Sequence, residues 1–418
     1  MSHSLLICLV LCAADLPETK SDMGNFYPML TTYAAQSTFP LSYLAQDWPD
    51  PDAWRQQGRA RMHELLSYDP QPAPLAPELL ETVKKDGYTR HLVRYAIAAG
   101  RTTEAYLLIP DGLEGPAPAI VALHCHSGFY YSGKEKITET EDPLPCLQDL
   151  ITNTYDGRPF ADELARRGFV VLVPDAFYFG VQRLDVTQIP PHFSESLEGC
   201  DAGSNDYVRA FNPIASRHEH LLAKTLFTAG TTWPGILFQG DRASVDFLLT
   251  RPEVDSSRLG CVGLSIGGYR SAHLFALDPR IKCAVVAGWM TTYSALLYDH
   301  LHSHTWMVYV PRQHNFLDLP DVVTLNAPNP LMVINCSQRL ALHARGHAGR
   351  REENRRCLRK NGRRRPIHLQ LLRRAPFPQD SRAGRCHRLV PEMAPAIACQ
   401  PRESISLRPR VEILVRPA

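Results

Sequence analysis

No stretch of the 418 residues approaches the ~20 consecutive apolar positions that a membrane-spanning helix requires. No C-x-x-C pair occurs either. The eleven cysteines (Cys8, Cys12, Cys125, Cys146, Cys200, Cys261, Cys283, Cys336, Cys357, Cys386 and Cys399) are odd in number and scattered, which argues against both a disulfide framework and a zinc site. Cys125, Cys261, Cys283 and Cys336 fall in apolar runs, where a thiol behaves as a small hydrophobe, so a reduced, cytoplasmic protein is the expectation. The apolar run at 5–14 is short and lacks the preceding Lys or Arg of a signal peptide. Secretion through a weak signal, a start codon placed upstream of a true Met23, and a disordered leader over 1–24 remain alternatives there. No internal repeat is visible, so a propeller-bearing peptidase has no support.

Charge of one sign is also scarce, but only locally. Residues 1–338 hold 25 Lys+Arg against 37 Asp+Glu, a net of −12, whereas residues 339–418 hold 20 against 6, a net of +14. The whole-chain value of +2 conceals this split. Nineteen of the twenty late cations are Arg, and the last 80 residues contain no Tyr or Trp and a single Phe. Residues 350–365 carry eight Arg and one Lys with no apolar face for a helix to bury.

Over residues 25–338 the pattern is that of a packed domain. Two helix-like stretches separated by proline-rich linkers precede a hairpin around Gly100 in HLVRYAIAAGRTTEAYLLIP (91–110). Short apolar runs then alternate with helical segments: AIVALHCH (119–126), FVVLVPD (169–175), RLGCVGLS (258–265), RIKCAVVAGW (280–289) and PLMVINC (330–336). Wholly apolar strands divided by helices predict an α/β fold with a mostly parallel sheet covered on both faces. In such sheets chemistry collects at the carboxyl edge. Between 182 and 232 the rhythm breaks, and a cap or excursion over that edge is expected.

Gly263-Leu264-Ser265-Ile266-Gly267-Gly268 joins the strand RLGCV to the helix-like YRSAHLFAL. G-x-S-x-G between strand and helix describes a nucleophile elbow: the serine sits on a strained turn, and the flanking glycines let neighbouring backbone pass. The bland alternative is an ordinary turn whose serine caps the helix. The elbow makes Ser265 the candidate nucleophile, with the Ile266 N–H as one oxyanion donor. A second donor is expected from Ser127 or Gly128 in HCHSGFYYSGKEK (124–136). His124 and His126 share a strand face, but no third ligand stands near, so no metal and no cofactor are called for. Asp175 precedes the serine in the chain and reads as pocket-shaping rather than as a triad acid. Asp241 and Arg242 read as an ion pair behind the site.

Together with FADELARRGFVVLVPDAFYFG, TTWPGIL, DRASVDFLLTRPEVD and APNPLMVINCSQ, these motifs resemble the dienelactone-hydrolase-like and acetyl-xylan-esterase-like α/β-hydrolases over roughly 25–338. The resemblance implies hydrolysis of a small-molecule carboxylic ester through an acyl-enzyme. Dienelactone hydrolase proper uses cysteine, so its substrate is not implied. It also implies a triad Asp just after PLMVINC and a His after one further strand, yet Arg339 follows Gln338 and no carboxylate appears until Glu352. Asp380 and His387 follow Ser265 in the right order but have no supporting motif, and neither do His300, His302, His304, His314 and His368.

Synonymous codons for 339–393, shifted by one base, can encode an amphipathic helix, the strand FTCNYYDVP, a following histidine and a last helix. That recovers each missing element in order, so a frameshift near Gln338 is the expectation, with the triad Asp lost directly after Gln338 and the His lost opposite Pro376 and Phe377. The sheet should then lack its last strand and helix. If the tail is genuine instead, a non-enzymatic protein binding nucleic acid through its arginines is the rival. A serine peptidase of related fold is the other.

Overall fold

The computed structural model describes residues 21–298, 301–335 and 413–417. Helices α1 (Tyr27–Ala34) and α2 (Pro51–Leu66) come first. Proline opens α2, where its missing N–H costs nothing, and the Asp50 side chain accepts from the Asp52 and Ala53 N–H groups. Then follow strands β1 (Glu78–Lys85), β2 (Tyr88–Ala98), β3 (Arg101–Pro110) and β4 (Ala117–Leu123), helices α3 (Pro145–Tyr155) and α4 (Phe160–Arg166), and β5 (Val170–Pro174). The 24-residue helix α5 (Asn205–Thr228) fills the segment where the rhythm breaks. Helix α6 (Trp233–Leu248), β6 (Val254–Leu264), α7 (Ile266–Leu277), β7 (Ile281–Ala287), α8 (Tyr293–Tyr298), α9 (Leu319–Thr324), β8 (Leu331–Asn335) and β9 (Ile413–Pro417) complete the order.

Among the described residues, one nine-stranded sheet runs β1-β2-β3-β5-β4-β6-β7-β8-β9. The pairs β1–β2, β2–β3 and β3–β5 are antiparallel, and the rest are parallel. The apolar runs are continuous because both faces are covered. In β4, Ala119, Val121 and Leu123 join the core on one side while Ile120 and Ala122 join the other. In β8, Leu331 and Val333 divide from Met332 and Ile334 in the same way. Cys125, Cys261 and Cys283 are buried and in no disulfide.

Two features differ from expectation. Strand β1, ELLETVKK, is an added edge with a largely exposed face, which deprives it of an apolar signature. At the other edge, the sheet does not stop at β8: the backbone of Ile413–Pro417 pairs with Leu331–Asn335 in parallel. An open edge presents unpaired N–H and C=O groups, and a short run rich in aliphatic residues satisfies them. The remainder of 336–412, including the residues around Gln338 and the candidates His368, Asp380 and His387, lies outside the described residues, as do 1–20. No described helix is long and apolar enough to cross a membrane.

Candidate active site

Strands β4, β6, β7 and β8 end on one edge, and the residues singled out from GLSIGG lie there. Ser265 separates β6 from α7 with φ 60° and ψ −119°, a conformation that costs a non-glycine residue about 1–3 kcal/mol. Its N–H donates to the Ala287 carbonyl at the end of β7, 2.9 Å away. A Cβ on Gly263 would overlap the Gly267 backbone, one on Gly267 would overlap the Leu123 carbonyl, and one on Gly268 would come 2.5 Å from the Ala287 oxygen. These contacts press the start of α7 between the ends of β4 and β7, which explains why small residues surround the serine. Ser265 stands at the N-cap position, exposed, yet its hydroxyl makes no capping hydrogen bond. The ordinary helix-cap alternative therefore lacks its defining contact. As the first residue of α7, Ile266 has no intrahelical acceptor for its N–H.

The chain leaving β4 makes a tight turn in which Ser127 and Gly128 both take left-handed backbone conformations (φ 52° and 63°). Buried His124 is its inner anchor. The ring accepts the Ala176 N–H at Nε2 (3.2 Å), so Nδ1 carries the proton and donates to the Cys125 carbonyl (3.0 Å). Burial, with Lys136 and Arg270 nearby, holds this imidazole well below its ordinary value, and it stays neutral. His126 accepts the Gly128 N–H at Nδ1 (3.0 Å), so its Nε2–H donates to Glu219 Oε1 (2.7 Å). Of the two N–H groups proposed from sequence, that of Gly128 is thus engaged within the loop. The Ser127 N–H has no acceptor among the described residues.

Glu219, on α5, is the residue that sequence reasoning missed. Its buried carboxylate accepts from His126, from the Tyr130 hydroxyl (2.6 Å), from the Thr305 hydroxyl (2.8 Å) and from the Trp306 N–H (3.2 Å). Burial works to raise it, but the bonds from His126, Tyr130 and Thr305 hold it below the usual carboxylate value. Asn212, also on α5, accepts the Tyr130 and Tyr131 N–H groups. Helix α5 is in this way clamped to the loop after β4. Only the HEH triplet at 218–220 could have hinted at the role.

Asp175 is buried at the end of β5, where it accepts the Lys134 N–H (2.7 Å), the Lys134 ammonium (2.9 Å) and the Val181 N–H (2.9 Å). The expected Asp241–Arg242 pair is corrected. Asp241 is bound through both oxygens to Arg270 of α7, at 3.0 and 2.5 Å, and Arg242 is exposed. Successive residues on a helix diverge by ~100°, so one faces the core while the next faces water. Among the other late histidines, His302 pairs with Asp22, His314 bonds the Ala34 carbonyl, and the His304 ring lies 5.9 Å from that of Trp289. Among the described residues, no group of three His, Cys, Asp or Glu could hold a metal ion.

Two family models match the chain: the Dienelactone hydrolase family over residues 147–322 and the Abhydrolase family over 19–177. A Bacillus subtilis (strain 168) protein, YtaP, provisionally described as a hydrolase, is 24% identical over 288 residues, 68% of this chain and 82% of its own. A solved structure from Bacteroides fragilis NCTC 9343, provisionally described as an acetyl xylan esterase, superposes with a TM-score of 0.59 at 17% identity, covering 79% of this chain and 81% of that one. A glucuronoyl esterase from Solibacter usitatus gives a TM-score of 0.47 at 13% identity over 76% and 82% of the two chains. The Bacteroides likeness shows the α/β-hydrolase fold.

Proposed function

We propose that this chain, a dienelactone-hydrolase-like α/β-hydrolase, is built to cleave small carboxylic esters at Ser265 through an acyl-enzyme. One observation carries the reading. Ser265 is an exposed residue whose hydroxyl makes no capping bond, on a strained turn between strand and helix. Its oxygen attacks the ester carbonyl as its proton passes to a histidine base, and the oxyanion rests on the Ile266 and Ser127 N–H groups. Collapse hands that proton to the departing alcohol oxygen, leaving the acyl group on Ser265. Water then releases the acid by the reverse sequence. Helix α5 and its flanking segment, 182–232, act as the cap over this edge.

The base and its orienting acid belong to the region beyond Gln338. A one-base shift there has replaced them with the Arg-rich segment, so little turnover is expected from the chain as written. Resequencing the codons for Asn335 to His343 tests this directly, followed by p-nitrophenyl acetate hydrolysis by the chain and by its frame-restored form. The restored form should turn over, and Ser265→Ala should abolish it. An uninterrupted frame, or turnover by the present chain that Ser265→Ala removes, would refute the lost-triad reading. Restored-form turnover that survives Ser265→Ala would refute the nucleophile.

A further inference from the structure

Lys136 is fully buried, in a short turn after the loop that leaves β4. Its ammonium reaches two successive carbonyls, donating to Cys125 O at 3.0 Å and to His126 O at 3.2 Å, and it lies 4.3 Å from the Phe179 ring centroid. We propose that Lys136 is a positioning residue that turns the Ser127 N–H toward the substrate carbonyl oxygen, which rests on the reading of Ser265 given above.

The argument is one of peptide geometry. A trans peptide is planar, and its C=O and the following N–H point in opposite directions. Drawing the His126 carbonyl inward onto Lys136 therefore turns the Ser127 N–H outward, and drawing in the Cys125 carbonyl does the same for the His126 N–H. The His126 carbonyl is further held by the Phe129 N–H (3.2 Å), and the Cys125 carbonyl by His124. The loop departs beside the nucleophile's helix, since Gly267 of α7 packs against the Leu123 and His124 carbonyls. Ser127 is held at its side chain by the Cys125 thiol (2.8 Å), and its N–H has no acceptor among the described residues. Ser127 is exposed, so this loop is open to a bound ligand. Burial pulls the Lys136 ammonium down to about 8, against the attraction of Asp175 and Glu135. A charge kept in such a place calls for a purpose beyond surface solvation.

A boronic acid tests this without a catalytic base, because its tetrahedral adduct with a serine oxygen places a boron-bound oxygen in the oxyanion position. The full chain is titrated with phenylboronic acid, and boron-11 NMR separates the trigonal acid from the tetrahedral adduct. Wild type should form the adduct and Ser265→Ala should not. Lys136→Met should weaken it at least tenfold at an unchanged melting temperature. Lys136→Gln, which keeps an N–H donor on a side chain one bond shorter, should recover part of the loss. A purely structural Lys136 would lower melting temperature and leave affinity alone. Wild-type affinity in folded Lys136→Met overturns the proposal while leaving Ser265 in place. Should Lys136→Met fail to fold, Lys136→Gln decides in the same way: weakened binding supports the proposal and wild-type binding overturns it. No adduct with wild type removes the Ser265 reading and this inference with it.

Discussion

Removing the Asp241 carboxylate should be among the most damaging single changes in the described fold. Asp241 and Arg270 are each about 2% exposed, joined by two hydrogen bonds between α6 and α7, and the Arg270 Nη1 already lacks a partner among the described residues. Asp241→Ala leaves a buried guanidinium without its counter-charge, which typically costs about 3–5 kcal/mol. A domain holds only ~5–15 kcal/mol in all. At roughly 2–4 °C per kcal/mol for a chain of this size class, the melting temperature should fall by about 6–20 °C. Burial raises the Asp241 carboxyl more than Arg270 lowers it, so the pair itself is no large net stabiliser. Replacing both partners by apolar residues of similar volume, Asp241→Leu with Arg270→Met, should therefore restore much of the loss. Urea unfolding followed by tryptophan fluorescence measures all three, with linear extrapolation giving the free energies. Arg242→Ala is the control, since that exposed neighbour should leave the midpoint where it is. The reasoning fails if Asp241→Ala costs under about 1 kcal/mol, or if the double variant is no more stable than Asp241→Ala.

Glu219→Ala strands four donors, from His126, Tyr130, Thr305 and Trp306, and should cost roughly 2–4 kcal/mol by urea unfolding. Glu219→Gln, which retains an acceptor, should cost less, and equal losses would argue against the network. Burial lowers the His273 imidazole from 6.5 to about 4, with Nδ1 bonded to the Tyr269 carbonyl and Nε2 unpartnered among the described residues. Because the folded value lies below the unfolded one, this contribution is intact above pH ~6.5 and is lost as pH falls toward 4. Relative to His273→Leu, wild type should lose up to roughly 3 kcal/mol across that window. Parallel stability–pH curves for the two would refute it.

Much of this architecture is written in short-range chemistry. Strands β4 to β8 are legible because a strand covered on both faces must be apolar at nearly every position, and the hairpin at Gly100 because its turn is local. GLSIGG is legible for a similar reason: a strained serine turn pressed between two strand ends tolerates no Cβ at its neighbours, so the demand falls on adjacent residues. Strand β1 escaped notice because its exposed face gives ELLETVKK no alternation.

The site's supporting contacts follow another rule. His126 meets Glu219 across 93 positions and Asp241 meets Arg270 across 29, so neither pairing leaves a local pattern. Adjacency in sequence suggested Arg242 as the partner of Asp241, and helix geometry sent the two to opposite environments. Composition alone marks a change after Gln338, where arginine becomes abundant and aromatic residues almost vanish. The sequence by itself thus determined the parallel core, the serine turn and the change of composition after Gln338. Only tertiary structure decided that Gly128 spends its N–H on His126, that Lys136 gathers two loop carbonyls, and that Arg270 takes Asp241. Burial drives most polar groups to find a partner, and which one each finds depends on where the folded chain brings segments together.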